Sequence, residues 1–275
     1  MRSILFFTAV SFMFVPVMFA EDHPAAERGK QTVFSVELPA STSVLPPGQF
    51  LEPMSIPRPI DPSKKETVHY FVFLPADYDK QAEAGGAPLL LFLHGIGECG
   101  NDAGEVNRVK NTGLPNFLEK PEFSKKFSCI AVSPQCKKGY VWSPAQLMLL
   151  LDHVEKQFKV DKNRIYVSGL SMGGYGTWLC LNEAPNRFAA AVPICGGANP
   201  EWAKKLTNVP IWAFHGGNDN VVNKRFQTKM VEEIRAAGGT KIIFTLFDGV
   251  GHDAWTPAYA NQLIYDWLFS QRLAK

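Results

Sequence analysis

From residue 67 onward the chain alternates between short, almost wholly apolar runs and longer stretches whose apolar residues recur three or four positions apart. His69–Leu74 reads as a strand. Pro88-Leu-Leu-Leu-Phe-Leu93 is apolar throughout, the signature of a strand covered on both faces. Further strand-like runs follow at 128–133, 164–167, 188–194, 209–214 and 241–247. Between them lie helical patterns. Ser143-Pro144 opens one: serine can accept from free N–H groups, proline suits the first turn, and Gln146 completes a capping box. Leu147, Leu150, Leu151, Val154 and Phe158 give that helix a single apolar face. Met172–Leu181 forms a second. Phe226, Met230 and Ile234 mark a third, which Gly238-Gly239 stops. Thr256-Pro257 opens a last one, carrying Tyr259, Leu263 and Trp267. Strands alternating with helices predict an α/β fold with a mainly parallel central sheet and helices on both faces. Reactive groups should then gather in loops at the carboxyl ends of the strands.

The opening of the chain is different. Met1-Arg2 precedes an apolar run to Ala20, which ends at Glu21-Asp22-His23. This pattern predicts a secretory signal peptide over 1–20 and a secreted or periplasmic protein, with no stable membrane insertion after cleavage. Residues 21–66 hold eight prolines and little periodicity. They read as an extended linker or N-terminal wrap, with an edge strand at Thr32–Leu38. The third segment, 67–275, is the catalytic domain. A net charge of +2 over 275 residues is too small to argue for a nucleic-acid partner. Five cysteines leave at least one thiol unpaired, and a bridge between Cys99 and Cys136 is one expectation that export allows.

The chemistry concentrates at three loops. Gly169-Leu-Ser171-Met-Gly173 lies between a strand and a helix. In such a sharp turn large neighbours would clash, and glycines on either side leave the serine hydroxyl exposed. A serine hydroxyl needs a base. His252, in Gly249-Val-Gly-His-Asp after the last strand, is the histidine that leaves room for an intervening acid. Asp219 follows a strand end directly and is the expected acid, whose task is to fix the imidazole tautomer; Asp248 is the alternative. His94 and His215 read as strand-end histidines bonding to nearby loops. The backbone N–H of Met172 is one expected oxyanion donor. The second should come from His94-Gly-Ile-Gly-Glu98, with Ile96 ahead of Gly97. Trp142 and Trp255 are candidate walls of a substrate pocket. Glu98 reads as a solvated loop acid. Histidines and cysteines lack ligand spacing, so neither metal nor cofactor is expected.

Taken together, His94-Gly-Ile-Gly-Glu, Ser133-Pro-Gln-Cys136, Gly169-Leu-Ser-Met-Gly-Gly-Tyr-Gly-Thr-Trp178, the segment ending Asp219-Asn-Val-Val, and Gly251-His252-Asp are similar to the phospholipase/carboxylesterase-like branch of the α/β-hydrolase superfamily. That branch includes exported bacterial esterases of the "predicted peptidase" type, and it neighbours feruloyl and acetylxylan esterases and polyhydroxybutyrate depolymerases. The resemblance covers about residues 67–272. It implies an α/β-hydrolase fold and a Ser171–His252–Asp219 triad. Cys99 departs from it, standing where relatives often carry a basic residue. The expected activity is cleavage of small-molecule or polymer-linked carboxylic esters through an acyl-enzyme. A serine peptidase on the same triad is one alternative. A non-catalytic carbohydrate-binding protein on a hydrolase fold is another.

Overall fold

The computed structural model describes residues 48–57 and 63–273. The expected signal peptide, the strand at Thr32–Leu38 and most of 21–66 lie outside those residues. Among the described residues, eight strands form one sheet: β1 (Gly48–Pro57), β2 (Lys65–Leu74), β3 (Ala87–Leu93), β4 (Ile130–Pro134), β5 (Val160–Leu170), β6 (Ala190–Ile194), β7 (Ile211–Gly216) and β8 (Ile242–Phe247). Their order is β1-β2-β4-β3-β5-β6-β7-β8. The β1/β2 and β2/β4 pairs are antiparallel and all others parallel. Part of the proline-rich segment is therefore sheet. Pro53 is tolerated in β1 because, among the described residues, that strand is the edge, with one side free of ladder bonds.

The helices are α1 (Tyr78–Glu83), α2 (Gly113–Leu118), α3 (Pro121–Ser124), α4 (Pro144–Gln157), α5 (Met172–Glu183), α6 (Arg225–Ala236), α7 (Trp255–Ala260) and α8 (Gln262–Ser270). They cover both faces. Leu89, Leu91 and Leu93 of β3 pack with Leu147 and Leu151 of α4, Trp178 of α5 and Met230 of α6. Leu90 and Phe92 point the other way, into a core with Leu114 of α2, Tyr259 of α7 and Ile264 of α8. Every residue of β3 is buried, as a strand between two helical layers requires. Fully burying each leucine contributes about 1.5–3 kcal/mol.

Two helical expectations need correction. The last helix is broken into α7 and α8 at Asn261, whose side chain accepts from Leu263 N–H at 3.1 Å and starts a new helix. The break rephases the apolar face, so Leu263 is exposed while Ile264, Tyr265 and Leu268 are buried. On α6, Phe226 is 56% exposed and the polar Gln227 takes the buried place. Gln227 is tolerated there because its Nε2 donates to Phe214 O (2.6 Å) and its Oε1 accepts from Gly196 N–H (3.2 Å).

The chain reaches β4 on one side of β3, then crosses to β5 on the other. The carboxyl ends of β3 and β5 thus flank a reversal of strand order, where open α/β sheets place their crevices. Among the described residues, no helix is long and apolar enough to cross a membrane.

Candidate active site

Ser171 stands between β5 and α5 at φ 53° and ψ −116°. A non-glycine residue in such a conformation costs of order 1–3 kcal/mol, which the surroundings must supply. They do so through hydrogen bonds and close packing. Ser171 N–H donates to Ile194 O at 2.9 Å, and Tyr175 N–H closes the first helical turn onto Ser171 O at 3.1 Å. A Cβ on Gly173 would lie 1.9 Å from Leu93 O, so only glycine lets α5 sit against the end of β3.

The loops after β7 and β8 are stitched together. Gly217 N–H donates to Phe247 O (2.8 Å) and Asn218 N–H to Val250 O (2.9 Å). This brings three distant side chains into line. Ser171 Oγ lies 2.9 Å from His252 Nε2, and His252 Nδ1 lies 2.7 Å from Asp219 Oδ2. The carboxylate of Asp219 is wholly buried and His252 is 18% exposed. Burial works against the charge on Asp219. Hydrogen bonds from His252 and from the N–H groups of Val222 and Val221 outweigh it and hold the carboxyl below its usual range. An ionised Asp219 requires the proton on His252 Nδ1, which leaves Nε2 free to accept from the serine hydroxyl. The arrangement can therefore deprotonate Ser171 during attack and return the proton to a leaving group.

Met172 follows Ser171 directly, and Ile96 follows Gly95 in the loop after β3. Among the described residues neither backbone N–H is engaged by an acceptor within the chain. A point one bond above Gly95 Cα lies 3.6 Å from Ser171 Cβ, so the loop after β3 rests against the serine. The same point is 3.2 Å from Glu98 Oε2. Glu98 is half-buried rather than solvated, and that burial raises its pKa.

Trp255 stands edge-to-face with the His252 ring at 5.0 Å. Trp142 needs correction as an open pocket wall. It is 5% exposed, its ring meets His94 at 4.8 Å, and its indole N–H donates to His94 O at 3.1 Å. One side of Trp142 lines a cavity of about 310 Å³ with His69, Gln135 and Tyr140; that cavity includes none of Ser171, Asp219 and His252. Asp248 is exposed. Asp253 is also exposed, and it accepts from Thr256 at the start of α7. Cys99 and Cys136 do not form a bridge; both are free, buried thiols in contact with each other.

Sequence reading missed one contact. His215 Nε2 lies 3.2 Å from Asp219 Oδ2 and 3.0 Å from Val222 O. It also missed Cys195, at φ 50°, whose thiol donates to His252 O at 3.2 Å and so holds the backbone behind the imidazole. The only textual signal was their position, each directly at a strand end. Cys195, His215 and Asp219 bring potential metal-ligating atoms within 4.8 Å of one another. Both Asp219 oxygens are already hydrogen-bonded, and burial pushes the Cys195 thiol up to about 12. The group fits a hydrogen-bonded support better than a metal centre.

Sheet, elbow and converged loops together define an α/β-hydrolase. Residues 137–202 match the model of the prolyl oligopeptidase family. The chain is 31% identical over 148 residues to a bifunctional acetylxylan esterase/xylanase of Neocallimastix patriciarum, an alignment covering 51% of this chain and 20% of that protein. A thermostable esterase of known structure superposes with a TM-score of 0.67 at 29% identity, over 81% of this chain and 63% of that one. The feruloyl esterase module from Clostridium thermocellum, solved with sinapinate, shares the fold at 18% identity and a TM-score of 0.57, over 84% of this chain and 91% of that one.

Proposed function

We propose that this chain is a serine hydrolase that cleaves carboxylic esters through an acyl-enzyme. Ser171 attacks the ester carbonyl, and His252 takes the hydroxyl proton and delivers it to the departing alcohol. Asp219 holds the tautomer and stabilises the imidazolium. The N–H groups of Met172 and Ile96 receive the oxyanion; losing one such donor typically costs ~3 kcal/mol of transition-state stabilisation. Water then repeats the sequence on the acyl-enzyme. The observation that carries this reading is the continuous Ser171–His252–Asp219 chain of 2.9 Å and 2.7 Å hydrogen bonds. Likeness to an acetylxylan esterase and to a thermostable esterase favours esters of an acyl group on a small molecule or polymer. Trp255, beside the imidazole, is the proposed wall for that group. The leader-like first twenty residues favour a secreted or periplasmic site of action.

Turnover of p-nitrophenyl acetate and butyrate tests this directly. Wild-type protein should hydrolyse both, and Ser171→Ala should reduce kcat by about 10⁶-fold. Undiminished activity in Ser171→Ala ends the reading. The match of 137–202 to the prolyl oligopeptidase family supports a second reading, a peptidase on the same residues. Side-by-side turnover of matched ester and amide substrates separates the two.

A further inference from the structure

His94 is completely buried at the end of β3, and each of its ring nitrogens has a partner. Cys136 N–H donates to Nε2 at 2.9 Å. A backbone N–H is always a donor, so Nε2 must be bare. The proton of the neutral ring is then on Nδ1, which faces Gly95 O at 2.5 Å. Trp142 closes the arrangement by packing its ring on the imidazole and donating to His94 O. The ring is locked in place, in orientation and in tautomer.

Gly95 O and Ile96 N–H belong to one peptide group. The peptide is trans, so the carbonyl and the N–H point in opposite directions. Gly95 also lies against Ser171. We propose that His94 is a positioning residue for the oxyanion hole: its Nδ1–H holds the Gly95 carbonyl inward and thereby turns the Ile96 N–H toward the reacting carbonyl. This rests on the esterase reading above and names the part of the fold that aims its second donor. Without the Nδ1 donor, the Gly95 carbonyl would lose its short partner and keep only the long contact from Glu98 N–H at 3.5 Å, a loss of up to about 1–3 kcal/mol. Glycine has the freedom to relieve that cost by rotating the peptide. Rotation would replace an N–H with a carbonyl oxygen where negative charge develops, so the loop has two orientations of opposite electrostatic sign. Trp142 thereby gains a role as the brace on His94.

The test uses two substitutions that each keep one nitrogen's function. Asparagine places an amide N–H where Nδ1 stands, and glutamine places an acceptor where Nε2 stands. With p-nitrophenyl acetate, His94→Gln should lower kcat about 100-fold with KM within about twofold of wild type, the loss expected for one oxyanion donor. His94→Asn should keep kcat within about threefold of wild type, because the donor is restored. Near-ultraviolet circular dichroism and Tm report whether each variant is folded. Long-range ¹H–¹⁵N correlation on the wild-type protein reads the tautomer independently of activity and should show Nδ1 protonated. A folded His94→Gln with wild-type kcat overturns the proposal, as do equal losses in the two variants or a ring protonated on Nε2. Undiminished ester turnover in Ser171→Ala removes the esterase reading and this inference with it. Ser171-dependent turnover combined with a fully active His94→Gln removes this inference alone.

Discussion

His94-Gly and His215-Gly occupy equivalent places, each ending a buried parallel strand and each beside the reacting centre, yet their rings are wired in opposite senses. Around His94, a backbone donor fixes Nε2 as acceptor and Nδ1 as donor. Around His215, Nε2 faces two acceptors, Val222 O and Asp219 Oδ2, so the proton belongs on Nε2. His94 has both nitrogens satisfied. His215 leaves Nδ1 buried and, among the described residues, without a partner. Burial holds both rings neutral, pushing His94 down to about 4 and lowering His215 as well. The same dipeptide thus serves two ends of one reaction. One ring orients the peptide that meets the oxyanion; the other adds a fourth donor to the carboxylate that supports the base. What separates them is the polarity of the backbone each ring meets, and a sequence read residue by residue does not display that.

Substitutions on the two sides sharpen this contrast. The largest effect belongs to the acid itself. Asp219→Asn should lower kcat about 10⁴-fold with the fold intact, because His252 loses the partner that sets its tautomer; steady-state kinetics on p-nitrophenyl acetate measures it. Next comes the oxyanion side, where the His94→Gln loss of about 100-fold in kcat applies. His215→Ala should cost less, about tenfold in kcat, since Asp219 keeps two backbone donors and His252. A His215 loss exceeding that of His94→Gln would reverse the assignment of the two rings.

The remaining effect is thermodynamic and does not read on kcat. The unfolded chain protonates His94 near pH 6.5, whereas the folded chain does not until about pH 4. Between those values the unfolded state binds more protons, so stability falls as the pH is lowered through that window. The ring should account for about 3 kcal/mol of lost unfolding free energy between pH 7 and pH 4. Urea titrations at the two pH values should show His94→Asn losing less stability than wild type by roughly that amount. An identical loss in both proteins would mean that His94 titrates normally.

Much of the fold was legible because its residues obey one rule at a time. The all-apolar Leu89–Leu93 run announces a doubly covered strand, and Ser143-Pro144 with Gln146 announces the start of α4. Residues facing competing demands were not legible. Asn261 sits inside an apolar helical pattern, yet its side chain caps a new helix and shifts the buried face from Leu263 to Ile264. Gln227 is buried because the carboxyl ends of β6 and β7 supply backbone partners that are distant in sequence. Pro53 and its neighbours looked like linker, but an edge strand accepts proline. At the site, Ser171, Asp219 and His252 could be picked out by chain order and strand-end position. Trp142 could not be placed, because an aromatic in the loop before a helix looks the same whether it faces a substrate or a buried histidine.

Covalent labelling of Ser171 probes the central claim most directly. Protein treated with a fluorophosphonate should gain one adduct, located by peptide mass spectrometry on the segment containing Ser171, and Ser171→Ala should gain none. An unlabelled wild-type protein, or an adduct that persists in Ser171→Ala, would contradict the account.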